Sequence, residues 1–162
     1  MRRWSQIALL AGLALFYSLV VFNNLTDFNS NFQFVRHVMS MDTTLPGNHG
    51  MGRAMTSRGW HLAFYLTLIV WEIMTTILLW IGAAQMARAA SGTTAAYRAA
   101  LRIPLLALTL SLLMWLVPFL GIGAEWFLMW QSSQWNGQQV AFRFFLVDGI
   151  LYLSLLLPEP HE

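Results

Sequence analysis

Four apolar segments divide the chain, at about 4–23, 60–86, 103–123 and 139–157. Each is close to the roughly 20 residues that an α-helix needs to cross the hydrocarbon core of a bilayer. Inside lipid, every backbone polar group must be bonded within its own element, so we expect these segments to be helices. The pattern predicts an all-α fold: a four-helix transmembrane bundle that forms a single integral membrane domain over residues 1–162.

The first long polar segment, about 24–59, is predicted to contain a short helix. Its 36 residues exceed an ordinary connection, and loops of this length are usually functional or disordered. Phe32, Val35 and Met39 recur at intervals of three and four, which is the spacing of one helical face. Asn29 or Ser30 can cap the start of such a helix. We expect this short interfacial helix to lie on the outer membrane surface.

The composition is that of a membrane protein. Hydrophobic residues make up 57% of the chain and charged residues 10%, whereas soluble domains carry roughly 25% charged residues. The pI of about 9.5 comes from scattered arginines, without the clustering on one face that nucleic-acid binding requires. The chain has no cysteine, which excludes disulfides and thiolate metal sites.

Arginines next to the apolar segments predict the orientation, because cytoplasmic loops carry an excess of positive charge. The excess favours both termini in the cytoplasm and the segments 24–59 and 124–138 outside. The cytoplasmic side would hold Arg2, Arg3, Arg88, Arg98 and Arg102, and the outer side Arg36, Arg53 and Arg58. The first apolar run is longer than a signal-peptide core of roughly 7–15 residues, and no small-residue cleavage site follows it, so we expect an uncleaved helix.

Two carboxylates interrupt the apolar segments. Glu72 lies near the middle of the second segment and Asp148 near the middle of the fourth, with Arg143 five residues before Asp148. An ionised group at this depth costs several kcal/mol unless it is paired or hydrated. The three residues therefore form a candidate intramembrane polar site. The Arg143 side chain could bond either carboxylate or extend outward to the membrane surface. The site would act as a proton or cation relay or a polar ligand site, or else as an ion pair that locks two helices together.

His61 and Tyr65 share a helical face with Glu72, because offsets of four and eleven residues return to nearly the same direction. His61 lies at the predicted outer boundary. The face could thus form a path for protons from water to the middle of the membrane, or it could be an interface without a conducting role.

A metal site and a haem site are weaker alternatives. His37 and Met41 share a helical face, and imidazole and thioether ligands suit copper(I). Methionine also fills irregular apolar surface, which is the simpler explanation. A membrane haem usually needs facing histidines within the helices, and only His61 is close to one. Since no nucleophile elbow, phosphate loop or zinc helix is present, we expect no enzymatic activity, and the sequence identifies no cofactor.

The second outer segment is rich in tryptophan, which gathers where an apolar ring meets a wet polar edge. We expect an outer aromatic cap, formed where the two outer segments pack together. Its members would be Trp126, Trp130 and Trp135.

Several runs of this sequence resemble a bacterial family of predicted small integral membrane proteins that is catalogued as a domain of unknown function. The resemblance covers nearly the whole chain and implies four transmembrane helices and a bacterial inner membrane, without an activity. The runs are Asn23-Asn24-Leu25-Thr26-Asp27, Phe34-Val35-Arg36-His37-Val38-Met39-Ser40-Met41-Asp42-Thr43, Trp71-Glu72, Glu125-Trp126-Phe127, Met129-Trp130-Gln131-Ser132, Trp135-Asn136-Gly137-Gln138 and Ala141-Phe142-Arg143.

Three functions remain open from the sequence. The first is a non-enzymatic accessory or interaction protein of the inner membrane that binds lipid, a quinone-like molecule or another membrane subunit. The second is proton or cation conduction through Glu72 and Asp148, and four helices would then require self-association. The third is periplasmic copper handling through His37 and Met41.

Overall fold

The computed structural model describes residues 1–158 and is an all-α bundle, as the hydrophobic pattern predicts. The structure is 80% helical, without a β-strand in this described part. The last four residues of the predicted domain lie outside it. In chain order the helices are α1 (Arg2–Thr26), α2 (Phe28–Ser40), α3 (Arg58–Ala89), α4 (Thr94–Ala100), α5 (Arg102–Met114), a π-helical segment (Trp115–Trp126) and α6 (Gln138–Leu156), with 3₁₀ turns at Met51–Arg53 and Met129–Gln131.

Four stretches of helix are long and apolar enough to cross a membrane: α1, α3, α4 to the π segment, and α6. We call the end of the bundle that holds residues 27–57 and 127–137 the loop end. The opposite end, where α1 begins and α6 ends, is the terminal end. α3 packs closely on α1 and α5, while α6 packs mainly on α5 and the π segment. α1 and α6 touch less, and an open groove remains between them.

The short helix predicted in the first long segment is present as α2, but its predicted start is wrong. α2 begins at Phe28, and neither Asn29 nor Ser30 caps it. Asp27 alone separates α1 from α2, and its φ of −113° and ψ of 50° make the corner. Because the corner forms within one residue, α2 starts before the polar residues that the capping rule selects. Its buried side chains include Phe32, Val35 and Met39, so the predicted helical face is correct.

The third span changes from α-helical to π-helical geometry at Trp115. Pro118 lies inside the π segment. Proline lacks an N–H, and its ring clashes with the carbonyl four residues earlier, which disrupts α-helical bonding. A π-helix bonds each residue to the fifth before it and is often found at functional sites. The wider turn therefore accommodates Pro118 without ending the span.

Side chains of α1 fasten the terminal end. The Arg3 guanidinium donates to the carbonyl oxygens of Ala90 and Gly92 at 3.0 and 2.7 Å. Gln6 Nε2 donates to the Ser154 carbonyl oxygen at 2.7 Å. These bonds satisfy carbonyls that helix ends leave free, and they tie α1 to the turn before α4 and to α6.

Candidate functional site

Asp148 belongs to a buried hydrogen-bonded network that joins three spans. Its Oδ2 lies 3.2 Å from Tyr17 Oη and within hydrogen-bond distance of Ser111 Oγ, and the two hydroxyl oxygens are also within hydrogen-bond distance of each other. Trp115 Nε1 donates to Tyr17 Oη at 2.7 Å. Asp148 is 1% exposed, and its other oxygen, Oδ1, has no hydrogen-bond partner within residues 1–158. Because buried polar atoms are nearly always bonded, this oxygen marks a place where a further donor would fit.

The groove between α1 and α6 ends beside this network. It has a volume of about 430 Å³ and is mainly apolar, with Phe16 on α1 and Phe144 and Leu151 on α6 among its lining residues. Phe144 and Leu151 lie four residues before and three residues after Asp148, and so on the same face of α6. The Phe144 ring stacks on Phe16 and Trp115, with centroid distances of 4.7 and 4.9 Å. These rings and Leu151 therefore border both the groove and the Asp148 network.

Glu72 belongs to a second network, nearer the loop end. Asn24 Nδ2 donates to Glu72 Oε2 at 2.6 Å. Tyr65 Oη lies 3.2 Å from both the side-chain and the backbone oxygen of Asn24. Glu72 and Tyr65 are buried, and the Phe28 ring of α2 packs edge-on against Tyr65 with a centroid distance of 4.8 Å. A chain of hydrogen bonds thus runs from Tyr65 through Asn24 to Glu72 under the cover of α2.

The predicted cluster of Glu72, Asp148 and Arg143 is not formed. Each carboxylate has its own partners, and no hydrogen bond or ion pair joins the three residues within the described part. Arg143 is exposed. Five residues turn a helix by about 140° from its starting direction, so Arg143 leaves the face that holds Asp148. The sequence expectation of one polar site is therefore replaced by two separate networks, with Arg143 outside both.

His61 and Tyr65 both face the bundle interior together with Glu72, as their spacing predicts. The hydrogen-bonded chain begins at Tyr65, however, because His61 Nε2 donates to the Met55 carbonyl oxygen at 2.6 Å. His61 also lines an open polar cavity at the loop end. The proposed proton path consequently has a continuous part, from Tyr65 to Glu72, and an interruption between His61 and Tyr65.

The two long loops contact each other at the loop end. The Trp135 ring stacks on His37 with a centroid distance of 4.6 Å and an angle of 12° between the planes. Arg53 lies 5.1 Å from the centre of the Trp126 ring. Trp130 is 47% exposed and makes no ring–ring contact within residues 1–158. Of the three tryptophans predicted for the aromatic cap, Trp135 is thus the one that joins the loops by ring stacking.

His37 and Met41 make structural contacts. His37 Nδ1 lies 2.9 Å from Asp42 Oδ2, and its ring face is covered by Trp135. Met41 is 2% exposed, with a left-handed φ of 55°. No group of three or more His, Asp or Glu residues in the described part of the chain is placed to hold a metal ion. Copper binding by this pair stays a prediction.

Sequence reasoning missed the partners of both carboxylates, which are Tyr17, Ser111, Trp115 and Asn24. A hydroxyl group in the middle of an apolar span is a signal, because such groups hydrogen-bond across helices. The signal is ambiguous, however. Thr67 Oγ1 and Thr109 Oγ1 instead donate to the carbonyl four residues before them in their own helix. The direction of each hydroxyl depends on helix rotation, which one sequence does not give.

The four spans and the polar networks inside them define a small integral membrane protein with buried carboxylates. Residues 2–158 match the family described as "Predicted small integral membrane protein (DUF2165)", and the chain belongs to that family. This confirms the resemblance found in the sequence. No curated protein and no solved structure matches the chain.

Proposed function

We propose that this protein is a non-enzymatic accessory protein of the bacterial inner membrane that binds an amphiphile between α1 and α6. The observation that carries the proposal is the unpartnered oxygen Asp148 Oδ1, buried beside an open apolar groove. A ligand with an apolar tail and a hydrogen-bonding head, such as a lipid or a quinone-like molecule, matches this combination.

The groove suits the tail of such a ligand. Its lining is mostly apolar, and it opens on the side of the bundle that faces lipid, where Leu9 and Ile150 are exposed. The apolar tail of a ligand that enters from the bilayer would exchange contact with lipid for contact with the groove. The affinity of the ligand would therefore come from the fit of the tail and from the hydrogen bonds of the polar head. The groove therefore gives the tail a place, while the Asp148 network gives specificity.

The head would reach Asp148 through movement of the Phe16 and Phe144 rings. A protonated carboxyl donates to a carbonyl oxygen, and an ionised carboxylate accepts from a hydroxyl group. Asp148 can thus bind either a quinone carbonyl or a hydroxyl head. Tyr17 and Ser111 hold Oδ2, which leaves Oδ1 for the ligand.

A groove-filling variant tests the proposal. A Cβ atom added at Gly12 meets nothing within 4 Å, so Gly12→Leu would fill the groove without disturbing the helix. Val70→Phe adds the same number of carbons on an exposed face of α3 and is the matched control. We expect decylubiquinone binding, measured by calorimetry in detergent, to weaken about tenfold in Gly12→Leu and to stay unchanged in Val70→Phe.

The outcomes separate the possible ligands. If decylubiquinone does not bind, but a phospholipid co-purifies with the wild type and is lost from Gly12→Leu, the ligand is a lipid. Unchanged occupancy in Gly12→Leu would exclude the groove. In that case the accessory role would have to rest on another membrane subunit or on a second copy of this chain, which co-purification and cross-linking would identify.

Proton transfer through Glu72 is a second candidate function, and the chain from Tyr65 through Asn24 to Glu72 favours it. Transport of metal cations is less plausible than proton transfer. Arg36 and Arg58 line the cavity at the loop end, next to this hydrogen-bonded chain, and their positive charge repels cations. Proton flux into liposomes, followed with a pH dye, tests the idea. Flux that disappears in Glu72→Gln would support it. No flux in the wild type would leave Glu72 with a packing role.

A further inference from the structure

An open polar cavity of about 590 Å³ lies at the loop end, between α2 and the first turn of α3. Arg36 and Gln33 line it from α2, and Arg58 and His61 line it from α3. Its size falls within the range of about 300–1,000 Å³ that is usual for small-ligand sites. Unlike the groove between α1 and α6, this cavity is rich in hydrogen-bond donors.

The cavity holds positive charge that the protein does not neutralise. Arg58 has no hydrogen bond or ion pair within residues 1–158, and Arg36 donates only to the neutral Gln33 Oε1, at 3.0 Å. Asp42 is the one carboxylate of the described residues that lines the cavity. Both of its oxygens are within 3.0 Å of His37 Nδ1. Two guanidinium groups therefore share a concave site without a carboxylate of their own.

We propose that this cavity binds a phosphate group through Arg36 and Arg58. Guanidinium groups match phosphate oxygens in geometry and form short charge-assisted hydrogen bonds with them. His61 Nε2 is bonded to the Met55 carbonyl oxygen, so Nδ1 is the nitrogen left for a hydroxyl of the ligand. The phosphate could belong to a lipid headgroup or be a free anion.

Two features of the structure favour the lipid headgroup as the source. Trp60 lies two residues after Arg58 and is 62% exposed, as is typical of a tryptophan at the membrane interface. α2 buries its apolar face, which includes Phe32, and carries Arg36 on its exposed side. An amphipathic helix of this kind lies at headgroup level, and it would hold Arg36 at the depth of lipid phosphates.

Native mass spectrometry of the full chain, purified with phosphatidylglycerol or phosphatidylcholine, tests the site. We expect one phosphatidylglycerol to be retained, and its retention to fall about tenfold in Arg58→Gln and in Arg36→Gln, since each loses charge-assisted hydrogen bonds. Arg143→Gln removes the same charge from an exposed arginine outside the cavity and is the matched control. Elution as a single species in gel filtration verifies that each variant is folded.

The results also identify the source of the phosphate. Selective retention of phosphatidylglycerol that excess inorganic phosphate does not displace would identify a lipid headgroup. Displacement by inorganic phosphate, with the same dependence on Arg36 and Arg58, would identify a free-anion site. Equal loss of lipid in Arg143→Gln, or no retention of either phosphate compound by the wild type, would overturn the proposal. Gly12→Leu should leave this site unchanged, so the two proposals can fail separately.

Discussion

Tyr17 is the residue on which the Asp148 network depends, because one hydroxyl group contacts Asp148, Ser111 and Trp115. Tyr17→Phe keeps the ring and removes all three bonds. We expect the free energy of unfolding, measured by SDS titration in mixed micelles, to fall by about 1–2 kcal/mol. Tyr152→Phe is the control, since the Tyr152 hydroxyl has no hydrogen-bond partner within residues 1–158. Equal losses in both variants would mean that the network contributes nothing to stability.

The sequence identifies the two carboxylates but not their surroundings. Glu72 and Asp148 stand out because a charge inside an apolar span is costly wherever it points. Their partners are neutral side chains, and the energetic cost of burying a neutral polar group depends on which contacts it makes in the folded protein. Arg143 illustrates the same limit, because its charge suggested a pairing that the rotation of α6 does not allow.

At the scale of elements, α3 and α5 approach each other closely at Gly82. A Cβ atom added there would lie 2.8 Å from Pro104 Cγ and 3.1 Å from the Pro104 backbone nitrogen. Because the proline ring and backbone cannot move aside easily, we expect Gly82→Ala to destabilise the bundle by about 1–3 kcal/mol. Gly12→Ala is the control within a span, since its Cβ would meet nothing within 4 Å. The same SDS titration compares the two variants. Similar free energies of unfolding would show that α3 and α5 can move apart to accommodate the added methyl group without loss of stability.

The elements themselves follow from hydropathy, whereas their local geometry does not. Spans are predictable because lipid requires about 20 apolar residues and permits only helices here. The α1–α2 corner at Asp27 and the π segment around Pro118 are different, because several backbone conformations satisfy the same apolar pattern. Proline indicates a disturbance at position 118, but the choice between a kink and a wide π turn depends on packing against α6.

At the scale of the whole molecule, the orientation in the membrane is a prediction from arginine counts. The chain has no cysteine, so single cysteines can report which end faces out. Leu45 and Ser91 are exposed at the loop end and the terminal end, respectively. In intact bacterial spheroplasts, we expect a membrane-impermeant maleimide to label Leu45→Cys and to label Ser91→Cys only after lysis. The reverse pattern would place both termini outside, and with them the groove's Ser154 end.

The contact between the two long loops gives a further prediction for the whole molecule. Trp135 stacks on His37 and also lies 6.3 Å from Phe34, whereas Trp130 is exposed and stacks on no ring within residues 1–158. Trp135→Ala should therefore release the first loop from the second, and Trp130→Ala should not. Trypsin reports this release cleanly, because the chain has no lysine and the enzyme can cut the first outer segment only after Arg36, Arg53 or Arg58.

In liposomes with the loop end exposed, we expect cleavage at Arg53 to accelerate about fivefold in Trp135→Ala. Loss of the loop contact should lower the free energy of opening the loop by about 1 kcal/mol, which raises the population of the open form by that factor. The magnitude is that of one aromatic pair. Trp130→Ala should digest at the wild-type rate. If both variants do so, the loops are held by hydrogen bonds between them, such as Thr43–Ser132 and those from Arg53 to the carbonyl oxygens of Glu125 and Trp126, and the stacked rings add little.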